Sequence, residues 1–182
     1  MLAGYRRRAA NSLSRGYRVS QMYRPEEILM TIFYKKIIWL NLSVITLFVI
    51  DRVSKWLAMN VLPREGIFVI PGMTGFVLER NQGIAYSISL PLTFLLIVVI
   101  IIILVLMALL IRAYRRGEVE VVMAFSLIIA GAVSNLLDRL QYDYVVDMLV
   151  LTSWPVFNLA DLMILAGAVW LVIKIARKQK KV

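Results

Sequence analysis

Long apolar stretches separated by short polar segments dominate this chain. Four of them, at about residues 37–57, 88–111, 119–137 and 158–175, could each cross a bilayer as a helix, which takes roughly 20 apolar residues. The second stretch is the least ambiguous, and a short basic turn, RAYRRGEVE, separates it from the third. The pattern predicts an α-helical integral membrane protein with four transmembrane helices.

The segment between the first and second stretches has a different pattern. In VLPREGIFVIPGMTGFVLERNQGIAYSISL, Pro and Gly residues interrupt short runs of β-branched and aromatic residues. This is typical of small strands outside the membrane, and we place a β-like extracytoplasmic segment at about residues 67–87, where Gly83 permits a tight turn. It would lie on the membrane surface as a clamp; a plain loop is the alternative.

Composition supports the membrane assignment and excludes several chemistries. The chain has 182 residues, of which 61% are hydrophobic, and a mean hydropathy of +0.80, far above a soluble domain. It contains no Cys and no His, which excludes thiol catalysis, disulfides and the usual zinc ligands. Proton transfer therefore falls to Asp, Glu, Lys or Tyr, and no motif suggests a metal, nucleotide or organic cofactor.

Basic residues predict the orientation. The 21 Lys and Arg residues outnumber the 11 Asp and Glu residues and give a net charge of +10. Most of the basic residues lie before residue 37, in the turn after the second stretch, and from Lys174 onward. A mostly transmembrane protein uses such residues to set its topology, so we expect both termini in the cytoplasm and no nucleic acid partner. We divide the chain into a basic cytoplasmic extension (1–36), a four-helix transmembrane domain (37–176) and a basic cytoplasmic tail (177–182).

With this topology all five Asp residues lie at or near the outer face: Asp51, Asp138, Asp143, Asp147 and Asp161. An ionised carboxylate at membrane depth costs on the order of 3 kcal/mol, so each needs water, a partner or a function. Some have ordinary interpretations. Asp138 would pair with the adjacent Arg139, Asp143 would be a solvated loop residue, and Asp161 would cap a helix together with Asn158.

Asp147 and Asp161 also form a candidate pair, because a short turn at Trp154 and Pro155 can fold the chain back between them. Two carboxyl groups close together do not both ionise readily, so one holds a proton while the other accepts one. The helix start favours ionised Asp161, which makes Asp147 the proton holder. This is the chemistry of an aspartic protease without histidine, and the spacing leaves the capping interpretation open.

Four motifs in order resemble those of the lipoprotein signal peptidases (signal peptidase II), bacterial intramembrane aspartyl proteases with four transmembrane helices. They are DRVSK (51–55), NQGIAY (81–86), AGAVSNLLDR (130–139) with VVD (145–147), and FNLAD (157–161). The resemblance covers about residues 37–175. It implies that Asp147 and Asp161 are the catalytic dyad holding a water between them. It further implies that these residues support substrate or carboxylates: Asn81, Gly83, Asn135, Asp138, Arg139, Asn158, Asp51 and Lys55.

The chain departs from the family pattern at three points. Ser134 stands where Gly is frequent, Tyr86 stands where Phe is usual, and the segment between Asp147 and Asp161 is shorter than is common. The short segment affects a loop that would cover the substrate. It does not affect the dyad.

The resemblance also implies a substrate and a location. We expect an enzyme of the bacterial cytoplasmic membrane that removes signal peptides from diacylglyceryl-modified prolipoproteins, cutting just before the lipidated cysteine. Its active site would face the extracytoplasmic side, its partners would be these precursors and membrane lipids, and it would act as a monomer. The alternatives are a small proton or ion transport subunit, or an inactive relative that binds precursors without cutting them.

Overall fold

A computed structural model describes residues 25–83, 91–152 and 154–179 of the chain. Tyr86 and the predicted beginning of the second span lie outside these residues. The described residues belong to two units that divide between Trp39 and Leu40, and the site described below lies in the second unit.

Four long helices in the described residues are apolar enough to cross a membrane, which confirms the predicted class of fold. They are α1 (Pro25–Asn60), α2 (Leu92–Arg115), α3 (Val119–Tyr142) and α4 (Leu159–Gln179). The first helix begins well before the predicted span, because hydropathy indicates where the chain enters the bilayer and not where helical hydrogen bonding begins. Pro25 is suited to a first helical position, since a proline there loses no intrahelical hydrogen bond. The predicted three-part division of the chain stays a prediction.

The helices differ in how much of their surface is covered by protein. Large apolar side chains of α2 are exposed along most of its length, and its buried residues are Leu95 and Ala113, as expected of a helix surrounded by lipid. Helix α3 is the most enclosed of the four and buries a polar face near its end. At Gly131, α3 approaches α4 so closely that a Cβ atom would collide with the carbonyl oxygen of Ala160.

A three-stranded antiparallel sheet connects the ends of the helices. Strands β1 (Ile67–Ile70) and β2 (Thr74–Asn81) lie in the segment predicted to be β-like, which confirms that prediction. The third strand, β3 (Val145–Leu151), pairs with β2 and places Asp147 directly opposite Glu79. Strand β3 continues past Asp147 to Leu151, and the turn predicted at Trp154 and Pro155 follows it, where the backbone N–H of Trp154 donates to the carbonyl oxygen of Leu151 at 2.8 Å.

The chain returns towards α4 through a second pairing. The backbone of Phe157 exchanges hydrogen bonds with Leu149, at 2.8 and 3.1 Å, and α4 begins two residues later. Val146 and Met148 pack with Ala58 of α1 in a buried cluster. Because side chains alternate along a strand, Asp147 lies on the opposite face of β3 from this cluster.

Candidate active site

The first turn of α4 holds Asp161 in a reciprocal cap with Asn158. The backbone N–H of Asn158 donates to Asp161 Oδ2 at 3.1 Å, and the backbone N–H of Asp161 donates to Asn158 Oδ1 at 2.9 Å. Such a pair satisfies N–H groups that the beginning of a helix leaves without partners. The other oxygen, Asp161 Oδ1, accepts from Asn135 Nδ2 at 2.8 Å. The capping arrangement considered from sequence is therefore present, and it leaves Asp161 within a polar cluster.

Asp147 lies in the middle of β3 and is only 2% exposed. Asn81 Nδ2 donates to its Oδ2 at 2.9 Å, and Asn158 Nδ2 donates to its Oδ1 at 2.7 Å. Side-chain amides donate hydrogen bonds without titrating. The two asparagines therefore orient the carboxyl group of Asp147 whatever its own protonation state.

Asn158 joins the two carboxyl groups into one site. Its backbone and Oδ1 contact Asp161, while its Nδ2 contacts Asp147 and also donates to Asn135 Oδ1 at 3.1 Å. Asn135 in turn donates to Asp161. Asp147 and Asp161 consequently share a set of neutral donors.

Both carboxyl groups line a cavity of about 480 Å³. Its polar part is lined by Glu79, Asn81, Gly83, Asn135 and Arg139 together with Asp147 and Asp161. An apolar wall continues from the end of β3 into the second turn of α4 and contains Leu151, Trp154, Pro155, Val156, Phe157, Leu162 and Leu165. The cavity thus presents two acids beside a surface suited to an apolar ligand.

The environment raises the pKa of Asp147 from 3.8 to about 6. Burial is the main cause, since it disfavours the charged form, and the negative charge of Asp161 adds to it. The hydrogen bonds from Asn81 and Asn158 and the charge of Lys55 act in the opposite direction. Asp147 therefore holds a proton at a higher pH than an ordinary aspartate.

A fully buried ionic cluster lies behind this pair, formed by Asp51, Lys55 and Asp138, each 0% exposed. Lys55 Nζ lies 2.8 Å from Asp138 Oδ2 and 3.2 Å from Asp51 Oδ2, and it donates to Asn135 Oδ1 at 2.8 Å. An ammonium group has three N–H donors, and here each has its own acceptor. Within the described residues every buried side-chain nitrogen and oxygen has a hydrogen-bond partner.

The two acids of this cluster hold the backbone next to each cavity aspartate. Asp51 Oδ1 accepts the backbone N–H of Ala160 at 2.8 Å, and Asp138 Oδ2 accepts the backbone N–H of Val146 at 3.2 Å. Ala160 immediately precedes Asp161, and Val146 immediately precedes Asp147. Because Lys55 joins the two acids, one buried ion cluster attaches both segments to α1 and α3.

Arg139 has a different partner from the one predicted. Asp138 was the partner expected from the sequence, but Asp138 forms ion pairs with Arg52 and Lys55. Adjacent helical residues point in different directions, so their side chains do not meet. The guanidinium of Arg139 instead donates to the carbonyl oxygen of Gly83 at 3.1 Å and so holds the chain after β2 against α3. Gly83 also donates its N–H to Asn81 Oδ1 at 3.0 Å.

Two residues that contact the buried cluster were not predicted from the sequence. Ser134 Oγ donates to Asp51 Oδ2 at 2.5 Å, and Arg52 donates to the carbonyl oxygen of Ser134 at 3.2 Å as well as pairing with Asp138. Ser134 was noted only as a departure from the family pattern. Its spacing of four from Asp138 places both on one face of α3, and this was the available signal. Asp143, at the left-handed C-cap of α3, is exposed as predicted.

The apolar helices and the cavity that holds two carboxyl groups define a multi-pass membrane enzyme. A sequence model of the family described as signal peptidase (SPase) II matches residues 43–177. The lipoprotein signal peptidase of Syntrophomonas wolfei is 35% identical over 141 residues, covering 76% of this chain and 93% of the relative. That of Halothermothrix orenii is 34% identical over 138 residues, covering 75% and 94%.

A solved structure described as a bacterial membrane enzyme at 2.3 Å resolution is also similar. It has a TM-score of 0.69 and 26% identity, and the likeness covers 77% of this chain and 88% of that one. The chain belongs to the signal peptidase II family, and it is a protease.

Proposed function

We propose that Asp147 and Asp161 activate the water that cleaves a lipoprotein precursor in this cavity. Membership of the family makes the chain a peptidase that removes signal peptides from prolipoproteins. The observation that carries the mechanism is the position of Asn158, which contacts both carboxyl groups and keeps them in one site. No other pair of acids lines the cavity among the described residues with such shared donors.

Asp161 is the base and Asp147 the acid in this proposal. Asp161 lies in the first turn of α4, where its carboxyl group accepts the backbone N–H of Asn158, and in this proposal it accepts a proton as the water attacks the scissile carbonyl carbon. Asp147, whose pKa is raised, donates its proton to the carbonyl oxygen. When the C–N bond breaks, the proton on Asp161 passes to the leaving amine, and the carbonyl oxygen returns its proton to Asp147.

The remaining residues hold this arrangement in place. Asn81, Asn135 and Asn158 orient the carboxyl groups, while Arg139 and Gly83 shape the polar part of the cavity. Asp51, Lys55 and Asp138 act through the backbone and Asn135, and they do not line the cavity. They are positioning residues.

The substrate in this proposal carries a diacylglyceryl group on the cysteine that follows the cut. The apolar cavity wall, which descends α4 through Leu162 and Leu165, supports this because these residues lie inside a membrane span. A lipid-bearing precursor can approach along the bilayer while its scissile bond reaches the polar part of the cavity. The proposed enzyme acts as a monomer.

The orientation belongs to the same proposal. The excess of Lys and Arg at both ends of the chain and in the turn between α2 and α3 supports cytoplasmic termini. The sheet and the cavity then face the extracytoplasmic side.

The test of substrate is a cleavage assay with the full chain reconstituted in liposomes. We expect a diacylglyceryl-modified precursor to be cut before its modified cysteine, with the product identified by mass spectrometry, and the same precursor without lipid to be cut at least about tenfold more slowly. Equal rates on the two precursors would contradict the lipid requirement. Binding of the modified precursor without cleavage would favour the inactive relative.

The pH dependence of cleavage tests the assignment of acid and base. Because Asp147 must hold its proton, kcat/KM should fall as the pH rises through about 6. The measurement is kcat/KM between about pH 4.5 and 8 with liposomes of constant composition. A rate that instead rises through pH 6 would reverse the two roles.

A further inference from the structure

The cavity contains a third carboxylate that the reaction does not use. Glu79 lies on β2 directly opposite Asp147 on β3, and both residues line the cavity. Residues facing each other in an antiparallel pair point to the same side of the sheet, with Cβ atoms about 5 Å apart. Glu79 therefore adds its charge next to the reacting groups.

Among the described residues, no cation forms an ion pair with Glu79. Glu79 is exposed to solvent. Its neighbour Arg80 points to the other face of the strand and lies over the ring of Tyr144, 5.3 Å from the centroid. Arg139, the only cation among the cavity residues described, donates to backbone carbonyl oxygens.

Sheet stability does not explain an acid at this position. Two like charges facing each other across antiparallel strands destabilise the pair, and Glu79 faces an aspartate. A valine or threonine would suit an antiparallel strand better. The charge of Glu79 is instead available to a ligand.

The geometry of the cavity indicates which part of the substrate lies next to Glu79. Leu162 and Leu165 lie in the membrane span of α4, whereas Glu79 lies in the sheet outside the spans. The signal peptide of a precursor reaches the dyad from the membrane. The mature part, on the other side of the scissile bond, must therefore extend from the dyad towards the sheet. At about 3.3 Å per extended residue, Glu79 lies within reach of the first two residues that follow the cysteine.

We infer that Glu79 is a specificity-determining residue that favours precursors with a basic side chain at one of the two positions directly after the lipidated cysteine. This inference rests on the proposed function. An exposed ion pair of this kind changes kcat/KM by about 2- to 5-fold. Acidic residues at the same positions are disfavoured to a similar extent.

The experiment uses the reconstituted full chain and three lipidated precursors that differ only at these two positions, with Lys, Gln or Glu. Wild type should cleave the Lys precursor about 2- to 5-fold faster than the Gln precursor, and the Glu precursor more slowly than either. The negative charge of the dyad itself also favours the Lys precursor. Glu79→Gln should remove the part of the preference that comes from Glu79, and Glu79→Lys should reverse the preference. The preference should also shrink as NaCl is raised from about 0.05 to 0.5 M, because salt screens exposed charges.

Glu65→Gln is the matched control, because Glu65 is an exposed acid before β1 that does not line the cavity. This variant should keep the wild-type preference. Equal cleavage of the three precursors by wild type, or an unchanged preference in Glu79→Gln, would overturn the inference and leave the proposed function standing. Failure of wild type to cleave any of the three would overturn both.

Discussion

Asp161→Asn and Asp147→Asn should each lower kcat for precursor cleavage by about 10³-fold or more, because each removes a proton carrier that the reaction needs. Asparagine has nearly the same shape as aspartate, so it preserves the packing around β3 and α4. The measurement is single-turnover cleavage of a lipidated precursor by each reconstituted variant. The two losses should not add in the double variant, since the two groups act as one unit.

The control for these variants is Asp143→Asn, the same substitution close to the site in sequence. Asp143 is exposed and adopts a left-handed conformation, with φ of 66°, which asparagine also tolerates. This variant should cleave at the wild-type rate. Thermal unfolding in detergent establishes that each variant is folded. Near-normal cleavage by Asp161→Asn or Asp147→Asn would refute the catalytic role of the two aspartates.

Lys55→Met should destabilise the fold by about 3–5 kcal/mol, because it leaves Asp51 and Asp138 buried without their shared cation. It should also reduce cleavage in the protein that remains folded, since Asn135 loses a donor and the two backbone attachments lose their common bridge. Denaturant or thermal unfolding in detergent measures the first effect, and cleavage per folded molecule measures the second.

Lys174→Met provides the comparison, because Lys174 also pairs with an acid, Glu120, but both side chains are substantially exposed. The same substitution there should change the unfolding midpoint little. If Lys55→Met were as stable as Lys174→Met, the buried cluster would not hold the site together. If Lys55→Met unfolded readily but retained normal activity when folded, the buried cluster would contribute to stability alone.

The hydrophobic pattern predicted the four spans because each is long, continuous and apolar, and such a signal is local. The same method missed β3. The run VVDMLVL is short and apolar, and a buried strand cannot be distinguished from other buried segments by periodicity alone. Its partner, β2, lies more than 60 residues earlier, so no local pattern reveals the pairing.

The candidate site was predictable in residue type but not in detail. The motifs identified residues that the structure brings together, including Asp147, Asp161, Asn135 and Asn158. The partner of Asp138 was mispredicted, because the choice between Arg139 and the more distant Arg52 and Lys55 depends on how α1 packs against α3. Glu79 carried no signal before its register opposite Asp147 was known.

The cavity is lined by residues from distant parts of the chain, and this determines when the site can form during synthesis. Lining residues begin at Glu79 and end at Leu165, and both candidate catalytic acids come from the last third of that interval. A nascent chain emerging from the ribosome cannot close the cavity until α4 has been made. Proteolytic capacity is therefore acquired only after the chain has been translated through Leu165, however early the other lining segments emerge.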